Sequence, residues 1–499
     1  MSHIANLTAP NGINYTQPLG LFIDNEWVAS KKEDRIISIN PADESEICSE
    51  EAAGSEDVDI AVNAARRAFD GKWREMDTSF RGDLLHKLAT LVEQHADVLA
   101  TIDAWDNGKT YNAARNEDVP DSVAILKYYA GWADKIHGTV IEPNPSRMAY
   151  TSREPIGVCG AIIPWNFPLV NIVTKLGPAL AAGNTLVVKV AEQTPLSALY
   201  FANLVKEAGF PRGVVNVLNG MGREAGTAIA AHPGIDMISF TGSTPTGREI
   251  LKTAAVNMKR VILETGGKSP LIVFKDADLE QAVRWGHRGI MSNQGQVCSA
   301  TSRIFVHEDV YDRFLALYKD EVQKVSQVGD PFKEDTFQGP QVSKAQFDRV
   351  SSYIDTGKRE GAKLLCGGEA CKNMSGKGLY IAPTVFTDVS DSMTISRDEV
   401  FGPFVVISKF NEEKEAIKRA NDSVFGLGAA VFTRDISRAL SVSKKIESGT
   451  VWINSSNDSD GRVPFGGFKQ SGIGLELGEL GLAAYTISKS VFINLNSKL

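Results

Sequence analysis

"TLVVKVAEQTPLSALYFANLVKEAGFPRGVVNVL", residues 185–218, decides the fold. Two apolar runs, 185–190 and 213–218, flank a segment of helical character, 194–210, that carries Pro195 in its first turn. Proline suits that position because first-turn N–H groups have no intrahelical partner. Two strands joined by a crossover helix make a right-handed βαβ unit, and such units build parallel sheets. The alternation extends both ways. Upstream, "VCGAIIPW" (158–165) reads as a strand and "LVNIVTKLGPALAAG" (169–183) as a helix ended by Gly183. Downstream come a helix over 223–232, a strand over 236–243, a helix over 244–256 and a strand over 260–266. Strands this apolar fit a sheet covered on both faces. The expected fold is α/β with a doubly wound, Rossmann-like sheet.

A second α/β block starts near 268 with "SPLIVFKD", continues through a helix, "DLEQAVRWGHRGIMS", and "SRIFVHED", and runs to about 470. The first 135 or so residues hold a strand-like stretch and then long helices over 55–70 and 80–108. "AAYTISKSVFINLN" (483–496) alternates like a strand but has no local partner, so it is expected to pair with another domain or subunit.

At 499 residues the chain exceeds one hydrophobic core, so two or three domains are expected. Apolar residues at 43% and charged residues at 23% indicate an ordinary soluble globular protein. A net charge of −8 disfavours nucleic acid and anionic membranes as partners. The N-terminal residues resemble neither a secretory signal nor a transit peptide, and no apolar run is long enough to span a bilayer, so a cytoplasmic location is expected. The cysteines, Cys48, Cys159, Cys298, Cys366 and Cys371, are odd in number and form no CxxC; neither disulfides nor a metal site is expected.

Doubly wound sheets bind ligands at the C-terminal strand ends, where helix N-termini offer free N–H groups. "FTGSTPTG" (240–247) is such a junction. Gly242 permits close backbone approach to a phosphate, and Ser243 can cap the helix or bind that phosphate. The Gly242 to Gly247 spacing is not GxGxxG, so a plain strand-to-helix turn is equally compatible. In "VVKVAEQTP" (187–195) Lys189 ends a strand and Glu192 follows three residues on. The lysine can meet ribose hydroxyls or phosphate, and the carboxylate can accept from the ribose 2′-OH and 3′-OH, which favours NAD over NADP. Two solvated loop charges are the plainer alternative.

Cys298 lies in "SNQGQVCSATSR" (292–303) among small and polar residues, with Gly295 just before it, as an accessible nucleophile would. That loop, "PWNFP" (164–168), "LETGGKSP" (263–270), "EVFGP" (399–403) and "PFGGFKQSGIGLELGE" (464–479) together resemble the NAD(P)-dependent aldehyde dehydrogenase superfamily. The resemblance runs from about residue 20 to the C-terminus and is strongest to the tetrameric class with fungal cytosolic and mitochondrial members. It implies NAD-dependent oxidation of a small-molecule aldehyde to a carboxylic acid. Such chemistry needs a nucleophile, an oxyanion donor, a base for water and a held nicotinamide. The resemblance implies Cys298 as nucleophile, Asn166 as oxyanion donor and Glu264 as general base. It implies Glu399 and Phe401 at the nicotinamide and its ribose, with Thr265 close to the nicotinamide, Lys189 and Glu192 at the adenosine ribose, and Ile162, Pro164 and Trp165 elsewhere along the cofactor. Lys175 and Glu476 match a proton relay, or a structural ion pair. A thiol hydrolase would need a Cys–His pair, for which His287, 11 residues before Cys298, is a candidate, but that reading leaves the nucleotide turn unexplained.

The resemblance also implies a domain plan: an NAD-binding domain over 1–135 and 155–266, a catalytic domain over 267–470, and a small β oligomerisation element from 136–154 and 480–499. The assembly would be a homodimer or homotetramer. Several positions depart from the family. Asn171, Thr174, Ser292 and Ser459 are polar where bulky apolar residues are frequent, and Arg288 takes another commonly aromatic position; Phe167 and Phe465 remain. With Val297, Ser299 and Asn457 they form the expected substrate pocket. The preferred aldehyde is therefore expected to be polar or acidic, with Arg288 or Arg462 near it, the alternative being a broad-specificity enzyme for aliphatic and aromatic aldehydes. Thr265 and Leu475 replace the family's leucine and arginine.

Overall fold

The computed structural model describes residues 3–371 and 376–496. The expected strands form the parallel centre of an eight-stranded sheet, in the order Gly472–Ile473, Arg260–Glu264, Met237–Thr241, Val158–Ile162, Thr185–Lys189, Val215–Leu218, Leu21–Ile23 and Glu26–Val28. The three edge strands pair antiparallel. Winding reverses at Val158–Ile162, which has Thr185–Lys189 on one side and Met237–Thr241 on the other. The register pairs Lys189 with Ile162, Ile162 with Phe240, and Thr241 with Glu264. The C-terminal ends of four neighbouring strands therefore carry Lys189, Ile162, Thr241 and Glu264 in a row.

Helix Pro168–Ala181 follows the first of these strands, with Pro168 at its start and Phe167 at its N-cap, and most of its residues are buried, Lys175 included. A helix apolar nearly all round belongs in a core rather than on a surface. The 80–108 region is two helices, Thr78–Gln94 and Ala96–Asn107. His95, at φ −97° and ψ 16°, leaves helical geometry between them, and left-handed Gly108 closes the second. The 223–232 region begins with a π-helical turn, Gly222–Gly226, before Thr227–Ala231. Pro195 caps helix Leu196–Ala208 instead of standing inside it.

The second block is a seven-stranded sheet ordered Lys363–Cys366, Thr384–Thr387, Phe404–Phe410, Arg303–His307, Pro270–Val273, Gly428–Phe432 and Thr450–Ile453. It is parallel apart from the first pair. Helix Leu279–Met291, capped by Asp278, crosses from Pro270–Val273 toward Arg303–His307 and delivers the chain to the cysteine loop. The C-terminal strand, Thr486–Asn494, pairs antiparallel along its whole length with Arg147–Pro155, which also pairs with Val140–Asn144. Its partner is thus a distant segment of the same chain. Val140, Ile141 and Phe492 are exposed on this small sheet. Among the described residues no helix is long and apolar enough to cross a membrane.

Candidate active site

After helix Leu279–Met291 the backbone turns left-handed for three consecutive residues, Asn293, Gln294 and Gly295 (φ 49°, 58° and 71°), before reaching Cys298. Gly295 also lies where a Cβ would stand 1.9 Å from the Gly402 carbonyl oxygen, and a Cβ on Gly267 would stand 2.5 Å from that of Cys298. The "LETGGKSP" and "EVFGP" segments thus close on the cysteine loop to backbone contact. Cys298 is half-buried. Its thiol is pushed up to about 12, by burial first and then by the carboxylates of Glu399 and Glu264. This departs from the low-pKa thiol that an accessible loop cysteine suggests, because burial and nearby carboxylates disfavour the thiolate.

A carboxylate lines the same cavity as this thiol. Glu264 ends its strand 3% exposed, and neither carboxylate oxygen has a hydrogen-bond partner. Burial, then the nearby Glu476 charge, holds its carboxyl well above the usual range, while Lys175 opposes that shift. Lys175 and Glu476 form a buried ion pair. Lys175 also donates to Thr241 Oγ1 (2.6 Å) and Ser239 to Glu476 Oε1 (3.1 Å), so both charges are satisfied. Asn166 is buried, and its Nδ2 donates to the Gln296 carbonyl at 3.0 Å, which ties "PWNFP" to the cysteine loop.

The other predicted positions line the strand-end row. Lys189 and Glu192 form an ion pair at 2.6 Å, with Lys189 buried and Glu192 partly exposed. Burial holds the Lys189 ammonium below its ordinary range, against the pull of Glu192. Ser243 caps helix Thr244–Ala254 by accepting from Thr246 N, and Gly247 lies buried inside that helix. The Thr265 hydroxyl donates to Gln470 O (2.7 Å), which commits it to the "FKQSG" segment. Glu399 Oε1 accepts from Gly267 N (3.0 Å), and burial pushes its carboxyl up to about 7. Phe401 is left-handed (φ 64°) and meets Trp165 edge-on, ring centroids 5.3 Å apart. Pro164 and Trp165 form the turn after Val158–Ile162, where the Trp165 carbonyl accepts from Asn107 Nδ2 (2.7 Å) and Thr194 Oγ1 (3.2 Å).

A cavity of about 410 Å³ lies between the Glu264 strand end and the cysteine loop; Asn166, Lys175 and the cofactor-side positions Lys189, Glu192, Ser243, Thr265, Glu399 and Phe401 are not among its lining residues. Cys298, Glu264 and Glu476 line it, together with Phe167, Asn171, Thr174, Arg288, Ser292, Val297, Ser299, Asn457, Ser459 and Phe465. Sequence reasoning missed a second group. Segment 109–121 contributes Lys109, Glu117, Asp118 and Asp121, and Val170, Phe337, Trp452 and Leu477 add apolar surface. The pocket therefore keeps four aromatic rings, more than the two expected. Its charges also differ from expectation. Arg288 pairs with Glu117 at 3.1 Å and Lys109 is ion-paired with Asp118. Arg462 is bound by Asp460 (2.9 Å), is well exposed, and is not among the lining residues. The cavity thus offers a carboxylate ligand no unpaired guanidinium.

The aldehyde dehydrogenase family model matches residues 27–491. An aldehyde dehydrogenase of Emericella nidulans is 54% identical over 488 residues, 98% of this chain and 97% of that protein. Retinaldehyde dehydrogenase 3 of Homo sapiens is 50% identical over 481 residues, 96% and 93% of the two chains. The NAD+ complex structure of an aldehyde dehydrogenase from Bacillus cereus matches with a TM-score of 0.94 at 48% identity, covering 96% of this chain and 97% of that one.

Proposed function

The chain belongs to the aldehyde dehydrogenase family, and from that premise we propose that it oxidises an aldehyde to a carboxylic acid with NAD, Cys298 acting as nucleophile. One observation carries the assignment: the partnerless carboxylate of Glu264 shares a cavity with the Cys298 thiol. The thiol proton passes to Glu264 as Sγ adds to the carbonyl carbon, and the carbonyl oxygen becomes an oxyanion of a thiohemiacetal. The Asn166 carboxamide and the Cys298 N–H are the donors for that oxygen. Lys189, Glu192, Glu399 and Phe401 would hold NAD, which would supply the hydride acceptor for the adduct. Glu264 gives the thiol proton up to solvent, then takes a proton from water as the water attacks the thioester and passes it to the departing Cys298 thiolate, which releases the acid and restores the thiol.

The residues at the strand ends fit NAD. Glu192, partly exposed beside buried Lys189, is an acceptor for ribose hydroxyls and would repel a 2′-phosphate. Trp165 and Phe401 pack against each other where the nicotinamide end would lie, and Glu399 stands beside them. The exposed apolar residues of the small sheet support a homo-oligomer, dimer or tetramer. The five free cysteines suit the reducing cytoplasm. The domain plan over 1–135 with 155–266, 267–470, and 136–154 with 480–499 is supported by the separate eight-, seven- and three-stranded sheets.

The substrate we propose is polar and neutral or cationic, since Glu117, Asp118 and Asp121 line the cavity and both its cations there are paired. A broad-specificity reading rests on the four rings of Phe167, Phe337, Trp452 and Phe465. A spectrophotometric panel with NAD and NADP in parallel decides between them. Hydroxylated or amine-bearing aldehydes should exceed carboxylate-bearing ones of equal length in kcat/KM. Comparable values for hexanal and benzaldehyde would favour the broad reading. Cys298→Ala should form no NADH with any aldehyde, and NADH production at the wild-type rate would remove the nucleophile assignment.

A further inference from the structure

The left-handed run before Cys298 is held in place from outside. Gln294 Nε2 donates to the carbonyls of Gly108 (2.9 Å) and Pro340 (3.1 Å), and its own carbonyl accepts from Gln341 Nε2 (3.3 Å). Gln296 Oε1 accepts from Val342 N (3.1 Å). A left-handed backbone costs most residues roughly 1–2 kcal/mol, and asparagine is among the side chains that tolerate it. Asn293 does more than tolerate it. Its Nδ2 donates to the carbonyl of Asn166 (3.0 Å) and to that of Gln296 (3.3 Å). The Gln296 carbonyl also receives Asn166 Nδ2 at 3.0 Å. Two carbonyl oxygens on one side fix which way the Asn293 amide faces, and its buried Oδ1 has no partner.

From this arrangement we infer that Asn293 is the positioning residue of the oxyanion site. Its amide clamps the Asn166 backbone and the Gln296 carbonyl together, which sets the plane of the Asn166 carboxamide relative to Cys298. One N–H of Asn166 is spent on Gln296, so the planar amide can turn its second N–H in only one direction. Loss of the clamp leaves that direction free. The inference rests on the reading of Asn166 as an oxyanion donor.

A double-mutant cycle on the full-length enzyme tests it, with the pre-steady-state NADH burst as the measure of acylation. Asn293→Gly keeps the left-handed backbone and removes the clamp. Asn293→Asp keeps the shape and the backbone tolerance but turns an oxygen toward two carbonyls. Asn166→Ala should slow the burst by about 10²–10³-fold, and Asn293→Gly by about 10²-fold through misplacement alone. The double variant Asn166→Ala with Asn293→Gly should be no slower than Asn166→Ala, since the clamp acts through Asn166. The KM for NAD should be unchanged in Asn293→Gly. A merely structural Asn293 would instead give losses that multiply in the double variant, and that result overturns the inference. So does a wild-type burst in both Asn293→Gly and Asn293→Asp beside a slowed Asn166→Ala. A wild-type burst in Asn166→Ala removes the oxyanion reading itself, and the inference with it. Should Asn293→Gly not fold, Asn293→Asp in the same cycle carries the test.

Discussion

The two ends of the cavity hold the same chemical groups in opposite circumstances. At the inner end Lys175 and Glu476 are paired with side chains 0% and 7% exposed, beside a Glu264 that has no partner. At the outer end Arg288 and Glu117 are paired with side chains 57% and 55% exposed. Removing one partner of a buried pair leaves an uncompensated charge and costs about 3–5 kcal/mol, whereas an exposed pair is worth about 0–1 kcal/mol. Charge is therefore fixed beside Glu264 and Cys298 and inexpensive to change at the mouth of the cavity. Glu264 stands on a strand end, Lys175 on a buried helix and Glu476 on an isolated bridge to Phe465, whereas the outer groups stand on the solvent side of helices.

The comparison is broken most strongly at its inner end. Glu264→Gln should slow both the NADH burst and steady-state turnover, by about 10²–10⁴-fold, the usual worth of a positioned base, because the same carboxylate takes the thiol proton and the water proton. Its pH dependence has a definite sign. As the proposed base Glu264 acts ionised, and burial holds it above the ordinary carboxylate range, so the wild-type rate should climb with pH through a limb higher than that of a free glutamate. That limb should vanish in Glu264→Gln, and a limb unchanged by the substitution would assign it elsewhere. Next in size, Lys175→Met strands Glu476 in the core. Thermal and denaturant unfolding should show a loss of about 3–5 kcal/mol. A loss below 1 kcal/mol would mean that the inner pair behaves like the outer one, and the contrast would fail.

The smallest effect belongs to the mouth. Burial, Asp118 and Glu117 push the Asp121 carboxyl up to about 6. It is therefore mostly ionised at pH 8 and mostly neutral at pH 5. Asp121→Asn should reduce the preference for a cationic over a neutral aldehyde by about two- to fivefold at pH 8, the scale of an exposed charge pair, and by nothing measurable at pH 5. An equal change at both pH values would separate the effect from the charge of Asp121.

Much of this was legible along the chain. The parallel centre of the first sheet follows from apolar runs alternating with helical spacing, and the strand-end positions of Lys189 and Glu264 follow with it. Cys298 in a polar loop and Ser243 at a helix start are local facts of the same kind. The break at His95 was not legible, because its neighbours carry helical residues on both sides and only its backbone angles depart.

The amino-acid sequence alone determined the α/β architecture, the strand ends and the solitary thiol, because each is written in neighbours a few residues apart. Tertiary structure decided what those groups meet. It placed segment 109–121 and Trp452 on the cavity, cancelled Arg288 with a glutamate 171 residues away, and left Arg462 outside. It also buried Glu264 without a hydrogen-bond partner; burial and then Glu476 raise its carboxyl, while burial, then Glu399 and Glu264, raise the Cys298 thiol. Charge pairing and desolvation depend on distance in space, and hydrophobic periodicity carries no record of which distant residues a fold brings together.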